Sequence, residues 1–386
     1  MVPNGWFKAK FGEITEIGNG QVDPKTEPYS SMMHIGPENV VSHTGQIIKI
    51  KSCKESDLIS GKYEFDENAI VYSKIRPNLN KVCKPDFKGV CSADMYPIWV
   101  KNGLDKDYLF HYMLGPHFYK AAISMSMRTG MPKINRNDLN TLSILLPPIV
   151  EQKKISQILS TWDQAISATE KLLENSQQQK KALMQELLTG KKRVVDENGV
   201  RFHDEWNQVL VSEICHIGRG RVISKTEIEE NKGTFPVYSS QTLHNGVMGY
   251  LNSYDFDGEV VTWTTDGVNA GTVFYRTGKF NCTNVCGTLT PKKSSIDLKF
   301  LAFSLSRETY KYVSHTLANP KLMNGVMGTI SLKIPSFKEQ QKIAKIILVA
   351  DKEIETLQKK LDCLKQEKKA LMQQLLTGKK RVKVAA

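Results

Sequence analysis

Apolar side chains recur at alternating steps of three and four along two stretches of the chain. In the second stretch they are Ile347, Ala350, Ile354, Leu357, Leu361, Leu364, Lys368, Leu371 and Leu375, a heptad seam holding one lysine. In the first they are Leu159, Trp162, Ile166, Thr169, Leu173, Ser176, Lys180, Leu183 and Leu187, the same register with a more polar middle. Each stretch predicts a long amphipathic helix. Pro335 and Ser336, with Glu339 three residues on as a capping box, mark one start; Pro147-Pro148 and Glu151 mark the other. Gly190 and Gly378 stand where a glycine ends a helix, and the Lys-Lys-Arg after each puts positive charge at the negative helix end. About 40 residues make each helix roughly 60 Å long at 1.5 Å per residue, more than one small domain can cover. The pattern predicts an antiparallel coiled coil that holds globular blocks apart. Ile158, Leu172, Leu188, Ile343, Ile346 and Leu376 widen the apolar stripe, and either partner helices or the chain's own blocks could cover them.

The helices are copies of one another. KALMQELLTGKKRV at 181–194 returns as KALMQQLLTGKKRV at 369–382, an offset of 188. At that offset Glu151-Gln152 matches Glu339-Gln340, Asp163 matches Asp351, Pro147 matches Pro335 and Pro132-Lys133 matches Pro320-Lys321. A second match, at an offset of 200, aligns Trp6, Glu13-Ile14, Ile17-Gly18 and Gly20 with Trp206, Glu213-Ile214, Ile217-Gly218 and Gly220. The interior between the matched ends shows no recognisable repeat. The layout is a block at 1–146, a helical spacer at 147–194, a block at 195–334 and a helical spacer at 335–386. So long a period excludes a solenoid and points to two copies of one module about a pseudo-two-fold axis.

Both blocks read as mixed α and β, which makes the fold class α+β. Strands are expected at 40–50, 69–74, 97–100, 209–214, 260–264 and 271–275, with apolar strands at 142–146 and 330–334 leading into the long helices. Short helices are expected at 107–113 and 298–306. Several loops carry the side chains that nucleic-acid contact needs. Lys74, Arg76, Asn78, Asn80 and Lys81 interleave cations, which neutralise phosphate, with amides, which read base edges. Arg219 and Arg221 flank Gly220 in a turn suited to gripping phosphate. Ser239, Ser240 and Gln241, and then Thr264, Thr265, Asp266 and Asn269, form polar runs beside glycines, suited to base readout and equally to ordinary turns. Arg128 and Lys133 before the first helix, and Lys321 before the second, occupy matched places.

Composition narrows the function classes. The 386 residues carry a net charge of +13, distributed as +3 over 1–150, +3 over 151–194, zero over 195–334 and +7 over 335–386. A polyanionic partner fits, although much of the excess lies on the helices, where solvated faces explain it as well. No run of about 18 apolar residues and no secretory leader occurs, and seven unframed cysteines fit a reducing cytosol. No phosphate-binding loop or dinucleotide fingerprint is present, and Asn319-Pro320-Lys321 only superficially matches an amino-methyltransferase motif. Pro85-Asp86-Phe87-Lys88 is a poor nuclease fragment, Cys282 and Cys286 lack a second ligand pair for zinc, and Cys215-His216 reads as packing. The chain is expected to be non-catalytic and to hold no metal.

The layout resembles the specificity subunit of type I restriction–modification systems over essentially the whole chain. The resemblance rests on the Leu-Pro-Pro and Ile-Pro starts followed by Glu-Gln, the twin Lys-Ala-Leu-Met-Gln ends and the Trp…Glu-Ile…Ile-Gly openings. Ser73-Lys74-Ile75-Arg76-Pro77 and Thr262-Trp263-Thr264-Thr265-Asp266-Gly267 add to it. It implies two target-recognition domains, each reading half of a split sequence in double-stranded DNA, and two helical regions that set the spacing. It implies as partners two modification subunits, which methylate adenine, and motor-nuclease subunits. S-adenosylmethionine, ATP and magnesium would sit on those partners, with no cofactor on this chain, in the cytoplasm. Leu159, Trp162, Ile166, Leu173, Leu187, Ile347, Ile354, Leu361 and Leu375 would serve helix packing and subunit contact. The blocks differ in size, 126 residues from Trp6 to Pro132 against 114 from Trp206 to Pro320, which implies an asymmetric target. Two other readings of the residues are an autonomous bipartite DNA-binding regulator and a coiled-coil scaffold indifferent to DNA.

Overall fold

The computed structural model describes residues 2–126, 132–315 and 319–383. The two heptad stretches form helices of 39 residues each, Ile149–Leu187 and Phe337–Leu375. Every seam position of both is buried or half-buried. Gly190 and Gly378 adopt φ of +71° and +68°, the left-handed conformation that ends a helix cheaply only at glycine. The chain divides into two compact units, Met1–Glu170 with Lys359–Ala386, and Lys171–Gln358, so each unit takes one half of each long helix. In the first unit Lys368 binds Asp163 and Lys365 binds Glu170, which makes the helix halves antiparallel. In the second, Lys180 binds Asp351 and Ser176 donates to Glu353. The α+β class, the duplication and the paired helices are as the pattern predicts.

Three sheets build the first unit. Phe7–Lys10 pairs with Ser143–Leu146. A four-stranded sheet runs in the order Thr15–Ile17, Met95–Val100, Ile70–Ser73, Val82–Cys83. A second runs Lys51–Ser52, Met33–Ile35, Gly89–Ser92, Lys62–Phe65, with its middle pair parallel. The second unit repeats all three. Asn207–Leu210 pairs with Ser331–Ile334. One sheet runs Cys215–Arg219, Cys286–Pro291, Val260–Thr264, Val273–Arg276. The other runs Val247–Leu251, Lys232–Tyr238, Lys279–Cys282, Phe256–Asp257, again with a parallel middle pair. The interiors that share no recognisable sequence therefore share a topology.

The repeated residues are those that bind each block to its helix. Gln152 donates to the carbonyls of Gly103 (3.0 Å) and Pro147 (2.9 Å) and accepts from the Asp105 amide (2.8 Å). Gln340 does the same with Ser295, Pro335 and Asp297, at 3.1, 3.0 and 2.9 Å. Asp105 and Asp297 then cap the helices Lys106–Leu114 and Leu298–Glu308. Glu151 accepts from Arg381 and from the Trp6 indole. Glu339 accepts two bonds from Arg193, at 2.8 and 2.7 Å. The carboxylate expected to box the helix start with Ser336 thus fastens the far end of the other helix instead. The remaining repeated acids, Glu13 and Glu213, accept from the amides of Lys10 (2.8 Å) and Leu210 (2.7 Å) and fold a single helical turn after each first strand. That turn, Val211–Ile214, cuts short the strand expected at 209–214.

Each core closes against the helices. In the first unit Phe11, Tyr72, Tyr108 and Ile98 pack with Leu159, Met372 and Leu375. In the second Trp263, Phe300 and Leu289 pack with Leu187, Ile343 and Ile347. Leu188, Ile343 and Leu376 of the widened stripe are buried by these blocks, and Ile158 and Ile346 pack beside them; Leu172 stays exposed. The stripe needs no partner helix at five of its six extra positions. The strand expected at 40–50 is absent. Val40 only bridges Ile47, and His43, Gly45 and Lys49 take positive φ, which breaks any run of extended backbone. The strands Ile70–Ser73, Met95–Val100, Val260–Thr264 and Val273–Arg276, and both short helices, lie within one or two residues of expectation.

Candidate nucleic-acid interface

At one strand end in each unit the backbone builds the same device. In the first unit the chain leaving Ile70–Ser73 is strapped to the segment before the long helix. The Arg76 amide donates to the Pro132 carbonyl (2.8 Å), the Ile134 amide donates to the Lys74 carbonyl (2.9 Å), and Ile75 bridges Lys133. A tight turn follows, closed by the Leu79 amide on the Arg76 carbonyl (2.9 Å). In the second unit the chain leaving Val260–Thr264 does the same. Gly267 donates to Pro320 (3.0 Å), Leu322 donates to Thr265 (2.9 Å), Asp266 bridges Lys321, and the Ala270 amide closes the turn on Gly267 (2.9 Å). The turns Arg76-Pro77-Asn78-Leu79 and Gly267-Val268-Asn269-Ala270 are therefore equivalent. Arg76 and Gly267 both hold positive φ, +47° and +89°. The turns correspond at an offset of 191, which neither the 188 nor the 200 frame of the sequence reveals.

Their chemistry differs. In the first unit Arg76, Asn78 and Lys133 are exposed, and Lys74 lies over the Tyr96 ring at 5.4 Å. Arg136 covers the same ring at 5.3 Å while donating to the carbonyls of Ile17 and Gly18. In the second unit Lys321 lies 3.7 Å from Asp266, whose other oxygen accepts from the Thr265 hydroxyl at 2.7 Å. The turn's most prominent side chain is Val268, 94% exposed.

A family model described as "Type I restriction modification DNA specificity domain" matches residues 3–176 and again 203–366. The chain belongs to this family. A putative type I specificity subunit of Mycoplasma pneumoniae is 39% identical over 235 residues, 58% of this chain and 91% of that protein. Another from the same organism is 51% identical over 137 residues, 36% of this chain and 73% of that protein. The crystal structure of a type I S subunit from M. genitalium superposes with a TM-score of 0.66 at 16% identity, covering 100% of this chain and 97% of that one, a likeness of fold.

Against the fold of this specificity-subunit family, the sequence-picked residues separate into surface and scaffold. Arg76, Asn78, Lys133, Arg219 and Gln241 are exposed; Lys74, Ser239, Ser240, Asp266, Asn269 and Lys321 are half-buried; Arg128 lies outside the described residues. Asn80 is not available to read a base: it is 1% exposed and donates to the Leu114 carbonyl. Lys81 is tied to the Pro37 carbonyl. Thr264 and Thr265 are buried, with the Thr264 hydroxyl donating to Asn269 inside the turn. Arg221 is exposed but held by Glu227 (2.6 Å) and Asp255 (3.1 Å), which raise its pKa and lower that of Glu227. Its charge is met within the protein, so it is a strut rather than a phosphate grip. Arg219 donates to the Met323 sulfur at 3.6 Å and makes no ion pair among the described residues. Sequence reasoning passed over Val268, Tyr96 and Tyr119, whose hydroxyl donates to the Asn78 carbonyl. The recurring Asn at the third turn position was the one available signal, and without the offset it is invisible.

No helix among the described residues is long and apolar enough to cross a membrane, and no cluster of three or more His, Cys, Asp or Glu there could hold a metal. The buried thiols of Cys83 and Cys91 are pushed up by desolvation, and Cys215 is pushed up to about 12. These are inert packing groups, as Cys215 was expected to be.

Proposed function

We propose that this chain is the non-catalytic DNA-reading subunit of a cytoplasmic type I restriction–modification complex. Each unit reads one half of a split, asymmetric target in double-stranded DNA. The shared helices carry two modification subunits, to which motor-nuclease subunits join. S-adenosylmethionine, ATP and magnesium belong to those partners. The supporting observation is the pair of equivalent turns: one backbone device, held by the same three contacts, bearing different side chains. A duplicated fold explains the device, and two unlike half-sites explain the difference.

Direct readout needs side chains at base edges, with cations nearby to fix register on phosphate. Arg76, Asn78 and Lys133 meet that need in the first unit, and Arg219, Asp266, Val268 and Asn269 in the second. Single-molecule sequencing of methylated adenines, in cells with and without this chain, tests the reading. A bipartite motif that disappears with the chain is the expected result; an unchanged methylome ends the proposal. In this reading helix length sets the gap between half-sites. Four residues inserted after Ser176, matched by four after Ile354, add about 6 Å at 1.5 Å per residue. The preferred gap then grows by about two base pairs at ~3.4 Å each. A motif with its original gap would refute the ruler.

A further inference from the structure

Val268 stands out among the described apolar side chains. It is 94% exposed, more than any other large apolar residue described. Tight turns take Gly, Pro, Asn, Asp or Ser for conformational reasons, and none of those reasons applies to valine. The turn is also rigid. Ala270 closes on Gly267, Gly267 is strapped to Pro320, and the Asn269 carbonyl accepts from the hydroxyls of both Thr264 and Thr272. Asp266 is held between Thr265 and Lys321. A β-branched side chain has little rotamer freedom left to lose. The fold thus presents a preorganised apolar knob.

We propose that Val268 is a specificity-determining residue that reads the 5-methyl group of a thymine in the half-site of the second unit. The inference rests on the DNA-reading role argued above. The thymine methyl is the apolar feature of the major-groove edge, and small apolar side chains recognise it by contact. The first unit has no counterpart: its equivalent residue, Pro77, is buried, and its turn offers Arg76 instead. The two half-sites then differ in kind, one approached through a guanidinium and the other through a methyl contact.

The test uses the chain assembled with its modification subunits. Methylome sequencing gives the motif, and synthetic duplexes carry deoxyuridine in place of each thymine of that motif in turn, which removes the methyl and keeps the pairing. Wild-type complex is expected to slow roughly fourfold at one position, the worth of one buried methyl-sized group. Val268→Ala, whose shorter side chain withdraws from the methyl, is expected to lose most of that deoxyuridine effect and to relax the preference for thymine at that position in the methylome. Val268→Thr, which keeps one methyl, should retain part of the preference. A flat deoxyuridine scan, or a deoxyuridine effect that survives Val268→Ala, overturns the inference while leaving DNA reading intact. An unchanged motif with weakened subunit assembly also overturns it, by making the valine a protein contact. No motif in any strain overturns the DNA-reading role itself, and this inference with it.

Discussion

The two units solve one structural problem identically and one electrostatic problem differently. Both clamp block to helix with a buried Gln, an Arg–Glu pair and an Asp cap. At the strand-end turn, the first unit leaves Arg76 and Lys133 without an ion pair among the described residues, whereas the second neutralises Lys321 with Asp266. At the helix face they diverge again. His111 in the first unit stands where Phe303 stands in the second, each counted six residues after its capping Asp. Architecture is kept by the repeated residues, and the surface between them is free to vary. A duplicated module can therefore acquire two unlike surfaces without losing its frame.

The largest effect should come from breaking a clamp. Glu339 is 0% exposed, so Arg193→Ala would leave a buried carboxylate with no cation. Stranding a buried charge costs about 3–5 kcal/mol, and the part-exposed Arg193 puts this pair near the lower end. Arg381→Ala should cost less, because the Arg381 side chain is 40% exposed and Glu151 keeps the Trp6 indole. Urea denaturation of the two variants measures the difference. Equal losses would show that exposure does not distinguish the clamps.

The next effect is a pH dependence confined to the first unit. Burial, with Lys368 and Lys84 nearby, pushes His111 down to about 3. Its ring is neutral at pH 7, so its 3.7 Å approach to Asp163 is not an ion pair. The unfolded imidazole binds its proton near pH 6.5, the folded one only near 3. The unfolded state therefore takes up more protons between those values, and stability falls as pH drops through that window. At pH 5 the loss through this group is at most about 2 kcal/mol. Asp163 is raised by burial and acts in the opposite direction, which reduces the net slope. His111→Phe, copying the second unit, should flatten the decline in melting temperature between pH 6.5 and 5. An unaltered decline would place the acid sensitivity elsewhere.

What the sequence made legible follows the same division. The long helices, their terminal glycines and the seam could be read because periodicity and end signals are local. The strand at 260–264 could be read because its residues are β-formers on every position. The duplication of the interiors could not. Strand order and register are set by burial patterns that many side chains satisfy, so Ile70–Ser73 and Val260–Thr264 share a place without sharing residues. Candidate contact residues are withdrawn from the surface where a polar side chain meets an internal partner: Asn80 on Leu114, Lys81 on Pro37, Arg221 between Glu227 and Asp255. Those partners are 34, 44, 6 and 34 residues away, beyond any local pattern. Arg76 and Lys133 survived because the fold leaves them outside.

Salt dependence sharpens the contrast between the turns. Each phosphate contact contributes about 0.9 to the slope of log affinity against log salt. Arg76→Ala with Lys133→Ala should lower the slope of the assembled complex by roughly 2 if both grip phosphate. Lys321→Ala should lower it by less than one contact's worth, since Asp266 already answers that charge. Competition binding over a range of salt concentrations gives these slopes. Equal losses per substituted cation would erase the difference between the units.

The smallest effect comes from converting one turn toward the other. Asp266→Asn keeps the size of the side chain and an oxygen able to accept from Thr265, so the turn should hold its shape while Lys321 is released. If the second unit differs from the first chiefly because its lysine is neutralised, the variant should steepen the salt slope by up to about 0.9 and strengthen binding to non-target duplex. The methylation motif would lose preference only at the base that Asp266 faces. An unchanged slope would mean that Lys321 faces no phosphate even when free. The difference between the turns would then lie in the shape and apolar character of Val268 rather than in charge, and the electrostatic half of the comparison would have to be given up.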